Sequence, residues 1–270
     1  MAWLSRPAFA CCAVTAQPRD QVPEARTICA AIGTTAPARP AAIAPKKARA
    51  ESDRLVAEAA ALMAQPSRQT VSAAIGLLEQ ATTNDLGNAV AFARLSAAHA
   101  DSRRYADVPA PAAAARRWSA ATRAYALDSD NVIVLNNLAH SVVVEARDLD
   151  CAERILLRAR RIAPRDPDVN FSLSNVRGSK GDFKTAFVDL EMAVANADPI
   201  KRLVLLYNSG RLHLMARENR WVIDHYAALI KANPDNPRKQ PGLFLPRPGV
   251  RGRRRLPAGA GRSHENAARP

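Results

Sequence analysis

Between residues 48 and 236 the apolar positions recur at helical intervals. Ala74, Leu78 and Ala81 are spaced by four and then three. The same spacing holds for Ala152, Leu156 and Ala159, for Ala186, Leu190 and Ala193, and for Val222, Tyr226 and Leu229. Intervals of four and three put each trio on one face of a helix. In the first three trios a larger residue sits between two alanines, a pattern that lets a second helix approach closely and fills the groove between them. Clusters of Asp, Asn, Pro and Ser punctuate these segments: "NDLGN" ending at Asn88, "LDSDN" at Asn131, "APRDP" at Pro167, "ADP" at Pro199 and "NPDNP" at Pro237. Each reads as a helix stop followed by a helix start. The last three intervals are 36, 32 and 38 residues, which predicts a repeated pair of helices.

The helix that opens each pair recurs as well. "LNNLAH" (Leu135–His140), "NFSLSN" (Asn170–Asn175) and "LYNSGR" (Leu206–Arg211) occupy matching places, and "ARDLD", "SKGDF" and "ARENR" follow as turns. One pair departs from the period: Ala81 to Ala124 is 43 residues. The excess is placed in an enlarged turn at Tyr105–Pro111, where Pro109 and Pro111 oppose helix continuation.

The stretch "CAERILLRARRIAPRDP" (Cys151–Pro167) carries five arginines. Ala152, Ile155, Leu156 and Ala159 form its predicted buried stripe, with Ile162 one turn further. Arg154, Arg158, Arg160, Arg161 and Arg165 fall largely off it, and the first four are expected to face solvent from the second helix of the pair. Nucleic-acid gripping by this segment is therefore not the expectation.

These residues resemble the tetratricopeptide repeat, a helix–turn–helix unit of about 34 residues with alanines at fixed places. The resemblance is carried by "LNNLAHSVVVEARDLDCAERILLRARRIAP", "NFSLSNVRGSKGDFKTAFVDLEMAVANADP" and "LYNSGRLHLMARENRWVIDHYAALIKANPDN", with "SAAIGLLEQATTNDLGN" as an earlier half unit. The "RDLDCAE" turn is one residue longer than the commonest form. The implied fold is all-α, a right-handed α-solenoid of four to five antiparallel helix pairs over residues 48–236. No single unit buries its apolar face alone, so units must stack. The resemblance implies that first helices line a concave groove that takes an extended peptide or a partner's helix. His140, Asn175 and Arg211 hold the same groove position in successive first helices, with Asn137 and Asn208 one turn earlier and Tyr207 beside them. The family commonly uses such asparagines on a ligand's backbone and such arginines on a carboxylate.

Composition refines this picture. The chain has 270 residues, 48% hydrophobic but only 5% aromatic, which suits close-packed helices. The net charge of +14 belongs to the ends. Residues 1–50 hold seven Lys/Arg against two Asp/Glu, and residues 237–270 hold nine against one, so the middle is nearly neutral. Residues 1–47 read as an Ala/Pro-rich disordered leader and residues 237–270 as a disordered basic tail. Arg251, Arg253, Arg254 and Arg255 offer phosphate contacts to nucleic acid or an anionic membrane, though a charge-solubilised tail is the favoured reading. "MAWLSRPAFACCAVTA" resembles a secretory signal thinly, with Arg6, an apolar run from Pro7 and a small-residue ending. A cytoplasmic location is favoured, with export through residues 1–16 as the alternative. No run is apolar enough to span a bilayer.

Cys11, Cys12, Cys29 and Cys151 form no C-x-x-C pair, so neither a zinc site nor a disulfide framework is expected. His213 and His225, on partner helices, lack a third metal ligand. Trp118 and Trp221 read as packing residues of second helices, and Asp148 and Asp150 as turn and cap residues. No phosphate loop, H-E-x-x-H or G-x-S-x-G motif occurs, and no cofactor is implied. The expectation is a non-catalytic interaction scaffold. The alternatives are a protein acting on nucleic acid or anionic surfaces through its basic ends, and an assembly or sensor component of an envelope system.

Overall fold

The computed structural model describes residues 29–30, 44–105 and 108–232. Their order is α1 (Lys46–Met63), α2 (Arg68–Asn84), α3 (Ala89–Tyr105), α4 (Ala110–Leu127) and α5 (Val132–Ser141), which runs on as a π-helical turn over Val142–Ala146. Then come α6 (Leu149–Ile162), α7 (Pro167–Lys180), α8 (Phe183–Asn196), α9 (Pro199–Met215) and α10 (Asn219–Ala232). No strand occurs among the described residues. The chain divides into two units, residues 1–222 and 223–270. In the second, only the end of α10 is described.

The polar clusters that separate the helices act as caps. Asn131 accepts from the N–H groups of Ile133 and Val134, Asp148 from Cys151, Asp166 from Val169, and Asp198 from Lys201. Pro167 and Pro199 occupy first-turn positions, where no N–H is missed. Ser67 and Thr70 form a reciprocal capping box on α2. Asn88 both caps α3 and donates to Ser52 and Asp53 of α1, so one turn residue fixes the angle between two first helices.

In the first unit, α1 packs on α2, α3 on α4, α5 on α6 and α7 on α8. Each first helix also touches the next: α1 on α3, α3 on α5, α5 on α7 and α7 on α9. Helices meet their near neighbours in the chain rather than a shared centre, which is the layering of an α-solenoid. The alanine-flanked trios lie at the contacts: Ala74, Leu78 and Ala81, then Ala152, Leu156 and Ala159, then Ala186, Leu190 and Ala193 are all buried.

Two expectations about irregular places are corrected. The long third-to-fourth helix pair does not carry its excess mainly as a turn. Its helices are 17 and 18 residues long, against 14 and 14 in α7 and α8. Pro111 stands in the first turn of α4, where proline is tolerated. The extra residue expected in "RDLDCAE" is absorbed upstream, in the π turn after Ser141, since an i→i+5 turn takes up one more residue than an α turn. The connection itself is short, with Arg147 in the left-handed region at φ 54°. Gly181 takes the matching place after α7 at φ 87°, and the Asp182 N–H returns to the Arg177 carbonyl.

The arginine-rich helix α6 is also corrected. Arg154, Arg161 and Arg165 are exposed, but Arg158 is buried and reaches Asp130 at 2.7 Å. Arg160 pairs with Asp189 of α8 at 2.8 Å. Arg177 of α7 joins the same Asp189 at 2.8 Å and Glu153 of α6 at 2.8 Å, and Lys180 meets both Glu153 and Asp150. Asp150 is thus an ion-pair residue rather than a cap. Asp189 is almost fully buried, and this raises its carboxyl above the usual range while the two arginines offset part of the shift. Ile162, expected one turn beyond the buried stripe, is 47% exposed and is the last residue of α6.

Candidate functional site

The first helices bring part of the expected ladder together. Arg211 of α9 donates from Nη2 to Asn175 Oδ1 of α7 at 3.0 Å. Asn175 in turn donates to the Phe171 carbonyl of its own helix, so its amide is oriented from both ends. His140 of α5 is exposed, and part of its ring is shielded from water. That desolvation, with the nearby charges of Arg117 and Arg211, pulls its pKa down to about 4. The imidazole is therefore neutral near pH 7 and offers one donor and one acceptor. Burial lowers the Arg211 guanidinium as well.

Of the remaining expected residues, Asn137 and Asn208 keep partial exposure and Tyr207 does not. Asn137 donates to the Ile133 carbonyl within α5. Asn208 is half-buried on α9. Tyr207, expected to stack on a ligand, is 8% exposed, because it faces the packing side of α9.

Sequence reasoning missed Arg117. It sits on α4 in line with Ala113, Ala121 and Ala124 at intervals of four, four and three, and is only 6% exposed. Its Nε donates to Ser141 Oγ at 3.2 Å, and Glu145 lies 3.8 Å from Nη1. Both partners border or belong to the π turn. A charge on an otherwise alanine stripe was the available signal. Burial lowers this guanidinium too. His99 of α3 is likewise buried, and that burial with the charge of Arg116 holds it at about 4.

Elsewhere, Arg160, Arg161 and Arg165 line a cleft of about 480 Å³ with Leu157, Pro164 and Met192. His213 stacks on Trp221 with ring centroids 3.3 Å apart and bonds Glu218 at 2.6 Å. His225 meets the edge of Tyr226. Trp118 is buried in the core. The absence of a disulfide, expected from cysteine spacing, is overturned: Cys29 and Cys151 are bonded to each other. Residue 29 is helical and packs on the main core, so the leader's expected disorder does not extend through it. Arg251, Arg253, Arg254 and Arg255, and residues 1–16, lie outside the described residues. No helix of the described residues is long and apolar enough to cross a membrane.

No family sequence profile matches the chain, and no curated protein does. Among solved structures it is similar to TTC0263, a thermophilic tetratricopeptide-repeat protein of Thermus thermophilus. The identity is 17%, over 68% of this chain and 93% of that one, with a TM-score of 0.55. This chain has the tetratricopeptide-repeat fold. More distant tetratricopeptide-like matches include MamA, at 13% identity and TM-score 0.41 over 62% of this chain and 90% of that one. PilW, a type IV pilus biogenesis factor, matches at 14% and 0.42 over 71% and 98%. Within the tetratricopeptide solenoid, His140, Asn175 and Arg211 stand on three successive first helices.

Proposed function

We propose that the solenoid is a non-catalytic interaction scaffold that binds an extended peptide or a partner helix along its first-helix face. The observation that carries this reading is the Arg211–Asn175 bond, which spans 36 residues and joins consecutive first helices. It sets a planar cation beside an oriented amide, with His140 on the preceding first helix. Such a row can pair with backbone groups and with one carboxylate of a ligand. Arg211, His140 and Asn175 are the central contacts, with Asn137 and Asn208 at the margin.

The test is binding of the full chain to an array of synthetic 15-residue peptides. Arg211→Glu is expected to weaken the peptides that bind by about tenfold or more, the size of a lost charge-assisted pair. Arg154→Glu, on the exposed side of α6, should leave them unchanged. Equal affinity of the Arg211→Glu protein and the parent would remove the first-helix face as the binding site.

A further inference from the structure

Among the described residues two cysteines occur, and they meet. Cys151 is the third residue of α6. It is fully buried, and its N–H is held by Asp148 at 2.8 Å. Cys29, 122 positions earlier, is partly buried against the same core cluster and bonded to Cys151, with Cα atoms 5.5 Å apart. That separation is within the roughly 4.4–6.8 Å that disulfides span. The covalent loop encloses α1 to α5, about half of the first unit.

We propose that Cys29 and Cys151 are joined by a thiol–disulfide oxidoreductase in an oxidising compartment, and that the bridged chain is the working form. Cytosolic thiol pools keep such pairs reduced, whereas exported proteins keep them oxidised. Val143, Ala146 and Leu149 pack on the same core cluster as the pair, and Cys29 keeps enough exposure for an oxidoreductase or a small reductant to reach it. The segment ahead of it fits the same reading. Its apolar run ends in Val14-Thr15-Ala16, a small-residue pattern of the kind cut on export. A cut there removes Cys11 and Cys12, so that within one chain the two remaining cysteines have only each other to pair with.

The chemistry balances on the oxidoreductase. The Cys29 thiolate attacks the enzyme's disulfide and forms a mixed disulfide. The Cys151 thiolate then attacks the Cys29 sulfur and expels the enzyme's thiolate. Two electrons and two protons leave the chain, and the enzyme ends as a dithiol.

The test uses the full chain made in two forms, exported to a bacterial periplasm and retained in the cytosol, with thiols blocked by alkylation at lysis. Tryptic digestion without reduction should yield Thr27–Lys46 joined to Asp148–Arg154 from the exported form only. Dithiothreitol should lower the Tm of that form by roughly 8 °C. Cys29→Ser, at the less buried end, should show the same loss and no further response to dithiothreitol. Alkylation of both thiols in the exported protein would overturn the proposal, as would Cys29 joined to Cys11 or Cys12. So would a stoichiometric zinc ion on the reduced pair with Asp148, whose ligand atoms lie within 4.8 Å of theirs.

Discussion

His99 carries a pH signature of its own. Its ring is buried in α3, and desolvation with the charge of Arg116 holds its pKa at about 4, below the ordinary imidazole value. In the unfolded chain the imidazole takes a proton below about pH 6.5; in the folded chain it does so only near 4. The native state is therefore fully favoured above pH 6.5 and loses stability as pH falls from there to 4, by on the order of 2–3 kcal/mol. Urea unfolding at pH 7 and pH 4.5 should show this loss, and His99→Gln should shrink the difference between the two. Buried polar residues were the least legible in the sequence. Arg158 and Arg160 sit on the polar side of a helical wheel, and it takes Asp130 from the α4–α5 turn and Asp189 from α8 to pair them and draw them towards the protein. Tyr207 lies next to the groove position in sequence, but one step along a helix turns a side chain by about 100°.

At the scale of single helices the sequence was nearly sufficient. The alanine-flanked trios identified the faces that meet, and the Asp, Asn and Pro clusters marked where helices start. Ala159 has no exposed surface, so Ala159→Leu should push α6 away from its neighbours and cost about 2–3 kcal/mol by overpacking. Arg161→Ala, exposed two residues on, should stay within about 0.5 kcal/mol. Denaturant midpoints compare the two directly. Helix length and helix type were less legible. The long α3–α4 pair and the π turn at Val142–Ala146 absorb extra residues inside helices, and Pro109 and Pro111 mark only where α4 starts, not how far the helices run. A turn is signalled by residue chemistry, whereas one additional helical residue leaves the apolar period only slightly shifted.

Across the whole molecule, stability depends on how each pair couples to the next. Asp189 is one such coupling point: it receives Arg160 from the preceding pair and Arg177 from its own. Asp189→Ala leaves two guanidinium groups short of a partner in a mostly buried place and should cost about 3 kcal/mol. Because the lost Arg160 contact links one pair to the next, the urea transition should also broaden, with α8 and α9 releasing ahead of α2 to α6 in hydrogen exchange. The repeat period, the small-residue contact faces and the capping residues are local properties, and the sequence by itself determined them: an all-helical chain of stacked pairs follows from 3.6-residue geometry and turn chemistry. Which charges find one another, which ring is enclosed, and that Cys29 bonds to Cys151 across 122 positions were decided only by the tertiary structure. Those contacts depend on distances between residues far apart in the chain, and local periodicity contains no information about them.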